Sequence, residues 1–231
     1  MMQSLAIITA RGGSKRIPHK NIRDFCGKPI IAYSIEAALE SGLFDEVMVS
    51  TDSESIARVA QEYGATVPFM RSAATSDDFA TTADVLREVL DRYEAEGKRP
   101  EWFCCLYPTA PFVTADELVG ARKQMVESDA PAAVAVTEFD FPPLRGFSVS
   151  DDGKISYAFP EYASARSQDL PKMAHDCGRF YLCGTDAFLA AGTVVPDDST
   201  GYMIDPVRVQ DIDTPSDWEQ AEFKWRCLNE A

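Results

Sequence analysis

Short apolar runs alternate with amphipathic stretches through the first half of the chain, and that rhythm predicts an α/β fold. Leu5 to Thr9 reads as a strand buried on both faces. Ile30, Ile31, Ile35, Ala38 and Leu39 follow at helical spacing behind Pro29, which a first turn tolerates, and Gly42 ends that helix. Val47 to Ser50 is the next strand. Asp52 or Ser53 can cap a helix carrying Ile56, Val59 and Ala60 that stops at Gly64. Thr66 to Met70 is strand-like, ahead of a helix with Val85, Leu86, Val89, Leu90 and Tyr93 on one face. Trp102 to Leu106 reads as strand, Thr114 caps a helix to about Glu127, and Ala132 to Thr137 is apolar and β-prone.

This repetition implies one α/β domain over residues 1–231, built on a doubly wound, mostly parallel sheet with helices on both faces. Ligands of such sheets bind beyond the carboxyl ends of the strands. The rhythm breaks over about 139–178. There Asp152-Gly153 marks a hairpin turn between Phe147–Val149 and Lys154–Ala158, among prolines 142, 143 and 160, which predicts an extended β-rich arm. Regular structure resumes at Arg179 to Cys183 with a helix from Asp186. Val207, Val209 and Asp211 alternate as a last strand. Thr214, Pro215 and Asp217 then open the terminal helix.

Charge changes the picture. The net charge of −15 excludes a general nucleic-acid or acidic-membrane binder. Residues 11–28 nevertheless carry six Lys/Arg against Asp24 alone, a local basic loop that suits a small polyanion. No basic start, long apolar run or small-residue cleavage site is present, so neither a signal peptide nor a membrane span is expected. The six cysteines form no C-x-x-C pair and only His19 and His175 accompany them. That pattern predicts reduced thiols in a cytoplasmic protein and no zinc cluster.

The basic loop lies directly after the first strand and reads Ala10-Arg11-Gly12-Gly13-Ser14-Lys15-Arg16-Ile17-Pro18-His19-Lys20-Asn21. Gly12 and Gly13 let backbone N–H groups approach an anion, and Arg11, Lys15 and Lys20 can neutralise phosphate. It is neither a P-loop nor a G-x-G-x-x-G turn, which weakens the readings of P-loop hydrolase and hydride transfer. Near the other end Asp211 and Asp213 stand two apart. On a strand both carboxylates would face one side, as Mg²⁺ beside a triphosphate requires; the plain alternative is a helix-flanking acid and a solvated one.

A-R-x-x-S-K-R-x-x-x-K-N after an N-terminal strand resembles the signature of the acylneuraminate cytidylyltransferases. The resemblance continues through Gly27-Lys28-Pro29, Val49-Ser50-Thr51-Asp52, Tyr107-Pro108-Thr109-Ala110-Pro111 and Gln210-Asp211-Ile212-Asp213-Thr214, nearly end to end. It implies a Rossmann-like nucleotidyltransferase fold with a dimerisation arm, acting as a cytoplasmic homodimer. The implied reaction is attack of the anomeric hydroxyl of an acidic nine-carbon sugar on the α-phosphorus of CTP, with Mg²⁺ and release of pyrophosphate. It further implies that Arg11, Gly12, Gly13, Ser14, Lys15, Lys20, Asn21, Arg71, Thr81 and Thr82 meet the nucleotide. Asp211 and Asp213 would hold the metal, and Lys20 and Asp211 would be catalytic. For Arg71 the alternative is a solvated end-of-strand charge, and for Thr81-Thr82 a helix cap, which could hold at the same time.

Arg166 and Gln168, in a stretch resembling the family's R-x-Q-x-L-P, would meet the sugar, together with Tyr107, His175 and Asp176. Where sialic acid members have Gln and Asn, this chain has Tyr107 and Cys177. With Gln168-Asp169-Leu170 and His175-Asp176-Cys177-Gly178, it looks most like the pseudaminic acid members, whose sugar carries fewer hydroxyls. Activation of sialic or legionaminic acid, activation of the eight-carbon ketodeoxyoctonate, and nucleotide binding without turnover are the competing readings.

Overall fold

The computed structural model describes residues 2–229. Among the described residues, ten strands and six α-helices follow one another. Strand β1 (Ser4–Thr9) leads through the basic loop into a small hairpin, β2 (Asp24–Phe25) and β3 (Lys28–Pro29), and then helix α1 (Ile30–Glu40). Next come β4 (Glu46–Ser50), α2 (Glu54–Glu62), α3 (Thr82–Ala95), β5 (Trp102–Leu106), α4 (Ala115–Glu127) and β6 (Ala132–Glu138). The arm carries β7 (Phe147–Val149) and β8 (Ile155–Tyr157). The chain closes with β9 (Ala174–Gly184), α5 (Thr185–Ala191), β10 (Thr200–Met203) and α6 (Pro215–Asn229). No helix among the described residues is long and apolar enough to cross a membrane.

The central sheet has the order β10-β6-β9-β5-β1-β4, and all its strands run parallel except β9. The alternating pleat divides the apolar runs between two cores. Ala6, Ile8, Val49 and Leu106 face one layer, packed against Ile35 of α1, Ile56 of α2 and Leu118 of α4. Leu5, Ile7, Met48 and Phe103 face the other, against Leu86 and Leu90 of α3 and Phe188 of α5. Adjacent Cys104 and Cys105 fall in opposite cores, as their positions on a strand require.

Two strand expectations fail. The stretch 66–70 makes a single bridge, Met48 to Thr66, on the outer edge of β4, because Pro68 has no N–H with which to continue a ladder. The alternation at Val207, Val209 and Asp211 is not a strand either. Pro206 opens a 3₁₀ turn over Pro206–Arg208, capped by the Asp205 carboxylate, which accepts the Val207 N–H at 3.0 Å. The last strand is instead Thr200–Met203, beside β6. Strand β9 also begins earlier than expected, at Ala174.

A third apolar cluster joins the two ends of the chain. Trp218 of α6, 2% exposed, packs edge-on to Phe25 with ring centroids 5.5 Å apart, beside Ile17, Phe112 and Ile212. The Arg23 guanidinium lies 4.7 Å from the Trp218 ring centroid. Trp218→Ala is expected to cost about 3–5 kcal/mol of stability. Because Ile212 packs in the same cluster, the segment before α6 should also loosen in the folded fraction; urea unfolding and hydrogen exchange check the two effects.

Candidate active site

The carboxyl ends of β1 and β5 open into a cavity of about 500 Å³. Its near wall is the basic loop, whose path is set by internal hydrogen bonds. Buried Asn21 donates from Nδ2 to the Arg11 carbonyl at 2.9 Å, and Ile17 anchors the loop in the apolar cluster beneath. The Gly12 N–H donates to Asp52 Oδ1 at 2.7 Å, so in this state it is engaged within the protein. A Cβ on Gly12 would sit 3.1 Å from Ser53 Cβ, whereas Gly13 faces open space; only the first glycine is required by close approach.

Of the loop residues expected at the nucleotide, Arg11, Ser14, Lys15, Lys20 and Asn21 line the cavity together, whereas Gly12 and Gly13 do not. Arg71 lines it from beyond β4 and is 8% exposed, which rules out a solvated charge. Its Nε donates to Ser50 Oγ at 3.0 Å and a terminal nitrogen to the Ser50 carbonyl. Burial lowers its pKa, with Asp52 and Glu88 opposing that shift. Thr81 and Thr82 also line the cavity. Thr81 caps α3 in the same position, accepting the Asp84 N–H at 3.2 Å, so cap and wall are one residue.

The C-terminal segment meets the loop through Lys20. Its Nζ donates to the Ile212 carbonyl at 2.6 Å and lies 3.5 Å from Asp213 Oδ1, which Arg16 approaches to 3.0 Å. Asp213 is held there by the α6 cap, its N–H donating to Asp217 Oδ2 at 3.1 Å. Asp211 is exposed and does not line the cavity. The two carboxylates were expected side by side on a strand. With no strand formed, the pleat that would align them is absent, and only Asp213 faces the basic loop.

The far wall carries Tyr107, Pro108 and Thr109, from the loop after β5. His175 and Asp176 reach the same edge of the sheet because β9 is antiparallel, so its start lies beside the carboxyl end of β6, but neither lines the cavity. The His175 ring packs on Phe139 at 4.7 Å. Arg166 and Gln168 lie exposed on the arm, Arg166 bonding Asp169 at 2.7 Å, and neither lines this cavity.

Asp78 is a site residue the sequence reading missed. Its carboxylate accepts Lys15 Nζ at 2.5 Å and an Arg11 terminal nitrogen at 3.0 Å, and the hydrogen bond and charge of Lys15, then those of Arg11, hold its pKa below the usual carboxylate range. The signal was the acidic pair Asp77-Asp78 shortly before the Thr81 cap, in a chain too acidic for one pair to stand out. Asp78 occupies the cations a phosphate would use. Asp78→Asn should therefore tighten binding of inorganic triphosphate up to about fivefold, the worth of an exposed ion pair; weaker binding by calorimetry would contradict that competition.

Residues 5–154 of the chain match the cytidylyltransferase family. The chain belongs to that family. A pseudaminic acid cytidylyltransferase of Campylobacter jejuni is 41% identical to this cytidylyltransferase over its full length and 99% of the relative. The CMP-N,N'-diacetyllegionaminic acid synthase of Legionella pneumophila is 34% identical over the same full length and 99% of that protein. A solved CMP:2-keto-3-deoxy-manno-octonic acid synthetase complexed with CTP shares the fold, with a TM-score of 0.70 at 19% identity over 99% of this chain and all of that one. The α/β architecture is thus that of cytidylyl-transferring enzymes.

Proposed function

We propose that this cytidylyltransferase joins CMP from CTP to the anomeric hydroxyl of a nonulosonic acid, with pseudaminic acid as the sugar. The observation that carries the reading is the convergence of Lys15, Lys20, Arg71 and Asp213 on one cavity whose opposite wall is Tyr107. The full-length similarity to a pseudaminic acid cytidylyltransferase supports the choice of sugar. The sugar oxygen forms a bond to the α-phosphorus, the bond from that phosphorus to the β-phosphate bridging oxygen breaks, and the hydroxyl proton passes to solvent.

Arg11, Ser14 and Lys15 hold the outgoing phosphates, and Lys20 stabilises charge at the α-phosphate. Arg71 and Asn21 fix the loop and strand ends between which the nucleotide sits, with Thr81 and Thr82 on the nucleoside side. Among the described residues no three His, Cys, Asp or Glu side chains form a metal cage of their own. One carboxylate beside phosphate-binding cations fits a nucleotide-borne Mg²⁺, which keeps most of its ligands as water and phosphate oxygen. Asp213 would hold it; Asp211 would act at most through water. When bound, the ion lowers charge repulsion at the phosphates.

The reading extends to a cytoplasmic homodimer joined through the arm. Both strands of its hairpin are exposed, with Phe141 84% exposed and Val149 and Ile155 also open. Such an apolar surface suits a second copy. Arg166 and Gln168, remote from their own cavity, would then serve the partner's. Light scattering should give the mass of two chains.

A pyrophosphate-release assay with CTP and a sugar panel tests the function. The fastest turnover is expected with pseudaminic acid; faster turnover of N-acetylneuraminic or legionaminic acid would reassign the sugar.

A further inference from the structure

Strand β9 breaks its register against β6 beside the cavity. Val134 pairs with Tyr181 and Val136 with Asp176, so the surplus of β9 bulges out over residues 177–180. Gly178 stands in that bulge with φ +61°, a conformation glycine takes without strain. Asp176 closes the bulge from both sides. Its Oδ1 accepts the Gly178 N–H at 2.8 Å and its Oδ2 accepts the Tyr181 hydroxyl at 2.6 Å. Each carboxylate oxygen thus already serves the strand. Tyr181 is buried, and burial, then the Asp176 hydrogen bond, pushes its phenol pKa up, so it stays a donor.

Tyr107 rests on this bulge. Its N–H donates to the Arg179 carbonyl at 2.9 Å, and its ring lies 5.6 Å from that of Tyr181. A Cβ on Gly178 would touch the Tyr107 ring at 3.9 Å, so the glycine forms the floor beneath it. The Tyr107 hydroxyl reaches Thr82 Oγ1 across the cavity at 3.5 Å. Tyr107 thus meets the bulge through both its backbone and its ring.

We propose that Tyr181 is a positioning residue for the acceptor sugar: its hydrogen bond to Asp176 closes the β9 bulge and holds the Tyr107 ring at the sugar side of the cavity. Asp176 then acts on the sugar through Tyr181 and Tyr107, not by touching it. This rests on the nonulosonate reading above and names the device by which the site selects its sugar.

Steady-state kinetics on the full chain test it, varying sugar and CTP separately. Tyr181→Phe keeps the ring and removes the hydrogen bond, and should raise KM for the nonulosonate about tenfold while KM for CTP stays within about twofold. Asp176→Ala, at an exposed position, removes the same bond and guards against misfolding of the buried variant. Because it also removes the Gly178 bond, it should raise the sugar KM at least as much as Tyr181→Phe, and the double variant should be no worse than Asp176→Ala alone, which already lacks the Tyr181 bond. Asp176→Asn, whose amide can accept from Gly178 and donate to the Tyr181 oxygen, should restore most of the sugar affinity. An unchanged sugar KM in Tyr181→Phe overturns the proposal. So does an equal rise in both KM values, which marks general structural loss, or additivity of the two variants, which marks direct contact of Asp176 with the sugar. Absence of pyrophosphate release by the wild-type enzyme with any nonulosonate would instead sink the functional reading.

Discussion

Lys20→Ala should lower kcat/KM for CTP by about 10²–10³-fold, with most of the loss in kcat. The side chain is only 19% exposed and its Nζ is held between the Ile212 carbonyl and Asp213. A cation fixed in a partly dehydrated site needs no reorganisation when charge develops on a phosphate, which is where electrostatic stabilisation acts most strongly. Lys15 gives the contrast. It is largely exposed and paired with Asp78, so Lys15→Ala should act mainly on KM, by roughly tenfold. Lys20→Arg should recover little, because a planar fork cannot occupy the place of a compact ammonium. Pyrophosphate release under saturating CTP separates the effects; a Lys20→Ala enzyme with wild-type kcat and raised KM alone would remove Lys20 from the chemical step.

Asp213→Asn should have the second largest effect, a kcat loss of about 10²-fold with a higher Mg²⁺ requirement, whereas Asp211→Asn should lose less than about tenfold. The asymmetry follows from position. Asp213 lines the cavity under the α6 cap, while Asp211 stands exposed outside it. Removing the Asp213 charge also releases Arg16 and Lys20 from a carboxylate they share, so magnesium titrations are the informative readout. Equal losses in the two variants, or a larger one at Asp211, would mean that the segment rearranges when nucleotide binds.

The parts of the molecule legible in the sequence are those where one local rule decides. The strands β1, β4, β5 and β6 are unbroken apolar runs in a sheet covered on both faces, and Thr81, Thr114 and Thr214 obey capping chemistry. The basic loop was legible because six cations stand out in an acidic chain. What the pattern missed was decided elsewhere. The last strand, Thr200–Met203, has no distinctive alternation and owes its place to pairing with β6, while Val207 and Val209 lose theirs to Pro206. The sheet position of β9, antiparallel between β5 and β6, depends on long-range pairing that no local spacing encodes. The same holds for the site. A D-x-D spacing says nothing about orientation without a strand, and the clasp of Asp78 on Arg11 and Lys15 joins residues more than sixty positions apart.

The central claim is that the loop after β1 and the segment before α6 grip one nucleotide. A crystal structure of the enzyme with CTP and Mg²⁺ tests it most directly. The triphosphate should lie against Lys15 and Lys20, with Asp78 displaced from Arg11 and Asp213 beside the phosphates. A nucleotide bound in the hollow between α1 and α6, with the basic loop still closed on Asp78, would contradict it.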